Sequence, residues 1–170
     1  MFAGILLTPR TIIDELADKI IRDLINQTSI KILWKKYWRL NTKEIDIIYP
    51  KLERRPFQDN LIRNLTMGDS LILLASGSDI YNKLTRAKGE FKTIHPDGPK
   101  VTGIRLKYWR REMTVNKIFS HPANDLFFEY RVHTTDSIKE TSDLIAICAN
   151  KGDLKQIEKV APEFIKQMRR

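Results

Sequence analysis

Between Leu126 and Cys148 the hydrophobic pattern changes period, and that switch constrains the fold more than any other feature. Leu126, Phe127, Phe128, Tyr130 and Val132 form an apolar, aromatic run that reads as a strand. The run ends in His133 and passes into Thr134, Thr135, Asp136 and Ser137. Ser137 with Glu140 has the form S-x-x-E, a capping box that opens a helix. Ile138, Thr141, Ile145 and Cys148 then recur at helical spacing. This order predicts His133 at a strand-to-helix turn, ahead of a helix N-terminus, where anions are favoured. A histidine so placed is a candidate to hold or receive a phosphate. The alternative is a histidine packed at the end of a strand.

The rest of the chain supplies the other elements of one domain. Phe2 to Leu7 reads as a buried strand ended by Pro9. Thr11 is the expected N-cap of a helix to about Asn26, with Ile13, Leu16, Ala17, Ile20 and Leu24 on one face. Ser29 to Leu40 is a strand, with Ile30, Ile32, Trp34, Trp38 and Leu40 expected on one face and Lys31, Lys35, Tyr37 and Arg39 on the other. Short helices follow, one through Tyr49 and one from Pro56 to about Leu65. Asp69 to Ala75 is a strand, and Ser78 to Gly89 frames a helix. Strand, helix, two strands, helix, strand is the ferredoxin-like βαββαβ order of an α+β fold. It predicts an antiparallel sheet with helices on one face. Residues 90–125 read as an enlarged loop, and residues 151–170 as a C-terminal helical extension interrupted near Pro162.

Composition narrows the chemistry. With 170 residues the chain is long enough for a real core. A net charge of +9 favours polyanionic partners such as nucleotides, nucleic acid or an acidic membrane surface. The single cysteine, Cys148, excludes an internal disulfide, suits a reducing, cytoplasmic setting, and lies on the apolar face of its helix. Met1 to Leu7 is too short for a signal peptide, and no apolar run approaches a membrane span. His95, His121 and His133 are far apart in sequence, so no metal cluster is expected. There is no G-x-x-x-x-G-K or G-x-G-x-x-G cradle, so a phosphate site must be built from side chains, for which arginine forks are suited.

Three stretches together resemble the nucleoside diphosphate kinase family. His133-Thr134-Thr135-Asp136-Ser137 is similar to that family's histidine signature, usually His-Gly-Ser-Asp-Ser. Tyr49-Pro-Lys-Leu-Glu-Arg-Arg55-Pro56-Phe57, with Leu61-Ile62 and Gly68, resembles its tyrosine-to-Arg-Pro-Phe segment at matching spacing. Leu6-Leu7-Thr8-Pro9 stands where the family has its first strand and Lys-Pro-Asp. The likeness covers roughly residues 3–92 and 126–148. It implies the ferredoxin-like fold, nucleotide binding, and transfer of a γ-phosphate from ATP, with Mg2+, onto His133 and then onto a nucleoside diphosphate. It further implies Tyr49 beside the histidine, Thr135 in the catalytic signature, and Arg55, Arg86 and Arg105 as phosphate contacts. Phe57 would be the wall for the base, Thr8 a neutral phosphate donor, and the assembly a homo-oligomer.

The departures are as informative as the matches. Thr8 stands for a phosphate-binding lysine and Arg10 for an aspartate. Tyr130 replaces an asparagine, Thr134 a glycine and Thr135 a serine. Leu144 falls where a glutamate orients the histidine, with Asp143 one residue off, and strict register puts Thr85 rather than Arg86 at the arginine. Two other readings follow: a divergent member that binds or modifies a nucleotide without the usual turnover, and a basic module that binds nucleic acid. The second would use Trp34-Lys-Lys-Tyr-Trp-Arg39 and Arg105 to Arg111, where bases stack on aromatic rings between cations.

Overall fold

The computed structural model describes residues 1–50, 58–89, 91–92, 100–108 and 131–169. Four strands, β1 (Phe2–Leu7), β2 (Lys31–Trp38), β3 (Ser70–Ser76) and β6 (Val132–Thr134), form one sheet in the order β2-β3-β1-β6. Every neighbouring pair is antiparallel, with β1 pairing Leu6 to His133 on one side and Leu6 to Ile72 on the other. This is the ferredoxin-like α+β arrangement expected above, with the first and third strands of the motif at the centre. Phe91–Lys92 (β4) and Lys100–Val101 (β5) make a separate two-stranded ladder.

Helices lie on both faces of the sheet, not on one. On the first face α2 (Ala17–Thr28), α5 (Ile80–Lys88) and α6 (Gly103–Lys107) bury Ile20, Leu24, Ile80, Leu84 and Ile104 against Ile5, Leu7, Leu73 and Val132. On the second, α3 (Thr42–Ile48), α4 (Gln58–Thr66) and α7 (Ile138–Cys148) pack Ile45, Leu61, Leu65, Leu144 and Ile145 against Leu6, Ile72 and Leu74. The central strands β1 and β3 are buried on both faces, which explains their unbroken apolar sequence. The C-terminal segment forms α8 (Lys151–Val160) and α9 (Pro162–Met168), with Pro162 in the first turn, where its missing N–H costs nothing. Ile157, Phe164 and Ile165 join the second core, and the Phe164 ring lies 5.5 Å from that of Phe2.

Three local expectations change. The helix expected from Thr11 to Asn26 is two helices: α1 (Pro9–Ile13), with Thr8 as N-cap, and α2, separated where Glu15 takes a left-handed φ of 55°. In β2 a bulge falls between Ile32 and Trp34, so the side-chain alternation slips by one. Ile30 and Ile32 therefore face the first core, while Trp34 and Trp38 face the second, instead of all sharing one face. Third, His133 lies inside β6, and α7 starts five residues later behind the Ser137 cap. Ser137 accepts from the Glu140 N–H as a capping residue should, but Glu140 reaches back to the Asp136 N–H rather than to that of Ser137.

Candidate active site around His133

His133 sits mid-strand in β6, between Val132, which is buried in the first core, and Thr134. Alternation turns the imidazole to the opposite face, the side of Tyr49. Tyr49 caps the C-terminus of α3, and its ring centroid lies 4.8 Å from that of His133 at an interplanar angle of 56°. The neighbourhood expected for Tyr49 is thus observed. His133 is half-buried, and loss of water pushes its pKa down to about 3, with Lys88 and Arg105 adding positive charge nearby. At neutral pH the ring is a neutral imidazole and carries a lone pair.

Arg105 reaches this strand from α6. Its guanidinium donates to the Gly89 carbonyl at 3.2 Å and to the Val132 carbonyl at 3.5 Å. Backbone packing makes that reach possible. Gly89, with φ 82° and ψ 173°, crosses Gly103, with φ 64°, so closely that a Cβ on Gly89 would lie 2.0 Å from the Thr102 oxygen. Only glycine at this crossing lets the start of α6 lie against the end of α5. A further tie holds α6 to α2: Asp23 accepts from Lys107 at 2.6 Å and from the Tyr108 hydroxyl at 2.8 Å. The Lys107 hydrogen bond holds the Asp23 carboxyl below its ordinary range. Lys107 and Tyr108, offered above as part of a base-stacking run, are thus engaged in packing. Trp34 and Trp38 likewise belong to the second core.

The threonines of the signature do structural work. Thr135 accepts from the Gly4 N–H at 2.9 Å and shares a 2.8 Å hydrogen bond with Thr141. It thereby joins the end of β6 to β1 and to α7. Thr8 is 0% exposed, and its hydroxyl lies 3.4 Å from that of Thr11. It offers no exposed donor to an incoming phosphate in this arrangement, and a lysine at position 8 would have to bury its ammonium. Arg10 is held by Asp14 at 3.4 Å. Leu144 is buried against Gly4, where an added Cβ would meet its Cδ2 at 2.7 Å, so a carboxylate at this position would lie in an apolar setting. Asp143 pairs with Lys139 at the surface. Arg86 lies exposed in the last turn of α5, and neighbouring Thr85 donates to Asp136 at 3.5 Å. Arg55, Phe57 and Tyr130 lie outside the described residues.

Two residues of consequence were not singled out from the sequence. Arg131, 1% exposed, pairs with Asp14 at 2.7 Å and donates to the carbonyls of Tyr108 and Arg10. Its own carbonyl accepts from the Thr8 N–H and the Thr11 hydroxyl. Lys88, 7% exposed, ends α5. Its signal was legible: Ile80, Leu84, Ala87 and Lys88 recur as an apolar stripe whose last member is charged. Cys148 is buried, and burial pushes its thiol up to about 12, so it is inert packing as expected.

No helix among the described residues is long and apolar enough to cross a membrane. A comparison with curated protein sequences finds no significant match. Among solved structures, the nucleoside diphosphate kinase of Aquifex aeolicus superposes with a TM-score of 0.64 at 15% identity, covering 89% of this chain and 96% of that one. The nucleoside diphosphate kinase of Encephalitozoon cuniculi gives 0.65 at 17% identity, covering 86% and 87%. A halophilic nucleoside diphosphate kinase from Halobacterium salinarum, solved in complex with CDP, gives 0.62 at 17% identity and covers 90% of each chain. These likenesses speak to the fold. The sequence itself matches the family model for nucleoside diphosphate kinase over residues 3–151, and the chain belongs to that family.

Proposed function

We propose that this protein is a nucleotide-binding phosphotransferase that moves a phosphoryl group from a nucleoside triphosphate to a nucleoside diphosphate through His133. The observation that carries the reading is the histidine itself: a neutral imidazole next to Tyr49, on a strand to which Arg105 is bonded. In the forward step a ring nitrogen forms a bond to the γ-phosphorus. The bond from phosphorus to the β,γ-bridging oxygen breaks, and that oxygen keeps the electron pair and leaves with the diphosphate. A terminal oxygen of a second diphosphate then attacks the phosphorus and frees the imidazole. Cations around the moving group stabilise its spread charge. The hydrogen bond of Arg105 to the Val132 carbonyl supports this role for it, and the family resemblance gives Arg55 the same role and Phe57 the base. No group of three or more His, Cys, Asp or Glu side chains among the described residues forms a metal cage. The family resemblance has Mg2+ enter with the nucleotide phosphates as part of the substrate.

Intact mass after incubation with Mg-ATP tests the reading. The wild type gains one acid-labile phosphate and His133→Ala gains none. A label that persists in the variant moves the chemistry elsewhere, and a wild type that takes no label retires phosphotransfer.

The pH dependence is also specified. With its pKa near 3, the free enzyme's imidazole keeps its lone pair from pH 8 down to about pH 5. The labelling rate should stay flat across that window. A histidine titrating near 6.5 would instead lose about thirtyfold of its neutral form by pH 5. A rate that follows a titration near pH 6.5 would show that the ring is not held neutral.

A further inference from the structure

Among the described residues Lys88 is the least explained charge. It ends α5 at a position of the buried stripe, is 7% exposed, and makes no hydrogen bond or ion pair with the described residues. Asp136 and Glu140 are the carboxylates that act on it, and neither comes within ion-pair distance; Asp136 accepts from Thr85, and Glu140 from the Asp136 N–H. Arg105, bonded to the carbonyl of the very next residue, Gly89, sits on the same side and repels it. Burial pushes the Lys88 pKa down to about 8, and its charge is felt at His133. A lysine buried along its stem, with its ammonium held beside a guanidinium, is unfavourable unless an anion joins them. At the same time the residue standing for the family's lysine, Thr8, is sealed under Thr11, and Arg10 is taken by Asp14.

We propose that Lys88 and Arg105 together form the receptor for the transferred phosphoryl group, so that the cation missing at position 8 is supplied from the end of α5. The inference rests on the phosphotransfer reading for the identity of the anion. The ammonium contributes charge and hydrogen bonds and forms no covalent bond. A lysine is suited to this role because its compact charge can sit among apolar neighbours and still turn three donors to one oxygen cluster.

Inorganic pyrophosphate is the probe, measured by calorimetry on the full chain. Lys88→Met should bind it at least tenfold more weakly, Lys88→Arg within about threefold of wild type, and Lys88→Met should melt no lower than wild type because a buried charge has been removed. In wild-type protein labelled at lysine, pyrophosphate should shift the Lys88 side-chain resonances, a readout that needs no variant to fold. Unaltered pyrophosphate binding by Lys88→Met, or Lys88 resonances that ignore the ligand, overturns the proposal. So does a Lys88→Met variant that melts lower while Lys88→Arg fails to restore binding, since that pattern belongs to a packing role. If pyrophosphate binds through Lys88 but Mg-ATP leaves no label, the kinase reading fails and the anion receptor stands. Normal labelling with pyrophosphate binding indifferent to Lys88 fails the receptor alone.

Discussion

Gly89→Ala should lower the melting temperature by roughly 10 °C, about 4 kcal/mol for a chain of this length. Two penalties combine. At φ 82° and ψ 173° the backbone occupies a region essentially restricted to glycine, where another residue costs about 1–3 kcal/mol. The added methyl would also lie 2.0 Å from the oxygen and 2.4 Å from the carbon of the Thr102 carbonyl. Backbone cannot rotate aside as a flexible side chain can, so α6 must shift as a unit, at a further cost of about 1–3 kcal/mol for overpacking. That shift carries Arg105 with it, so pyrophosphate affinity should fall along with stability. Thermal unfolding followed by circular dichroism reads the first effect and calorimetry the second. A variant that melts within about 2 °C of wild type would mean that the crossing is not this tight.

Arg131→Met should cost about 3 kcal/mol in urea unfolding. The guanidinium is 1% exposed and ties the lead-in of β6 to two other pieces of chain: α1, through Asp14 and the Arg10 carbonyl, and the Tyr108 carbonyl after α6. Methionine fills a similar volume but takes this donor from the Tyr108 carbonyl and leaves Asp14 with only its 3.4 Å pair to Arg10. The weakly compensated groups left behind, more than the lost attraction, set the size of the effect. Asp14 is 26% exposed and can recover some hydration, which keeps the expected loss near the low end for a broken buried pair. Because Arg131 enters the strand that holds His133, the His133 ring resonances should also broaden. Full stability in Arg131→Met would show that the three contacts together are dispensable.

What the sequence disclosed and what it hid follow from the range of the interactions. The strands of the main sheet, their succession with the helices along the chain and the Ser137 cap depend on local period and on one short motif, and they were readable. The position of Tyr49 beside His133 was readable only through the family resemblance, since nothing local links residues 84 positions apart. Hidden were the bulge after Ile32, which needs knowledge of the partner strand, and the split of the first long helix at the left-handed Glu15, a conformation that a non-glycine residue's local sequence does not announce. The expectation that helices cover one face came from counting only the two crossover helices. It missed that Ile45, Leu61 and Phe164 also need a wall to pack on. The departures at Thr8 and Leu144 were seen as losses of charge. Their burial shows what replaced the charge: Thr8 now packs under Thr11, and Leu144 fills the space opposite Gly4.

The bulge in β2 has a thermodynamic corollary. Ahead of it the strand inserts Ile32 into one core, and beyond it Trp34 and Trp38 into the other. An edge strand with regular alternation, were one face left to solvent, would belong to a single layer and fray when that layer softened. Here the outermost strand is mortised into both, and β3, its neighbour, contributes Leu71 and Leu73 to one side and Ile72 and Leu74 to the other. Neither layer can melt while the other keeps its packing intact, so unfolding should proceed as one cooperative event despite helices on opposite sides of the sheet.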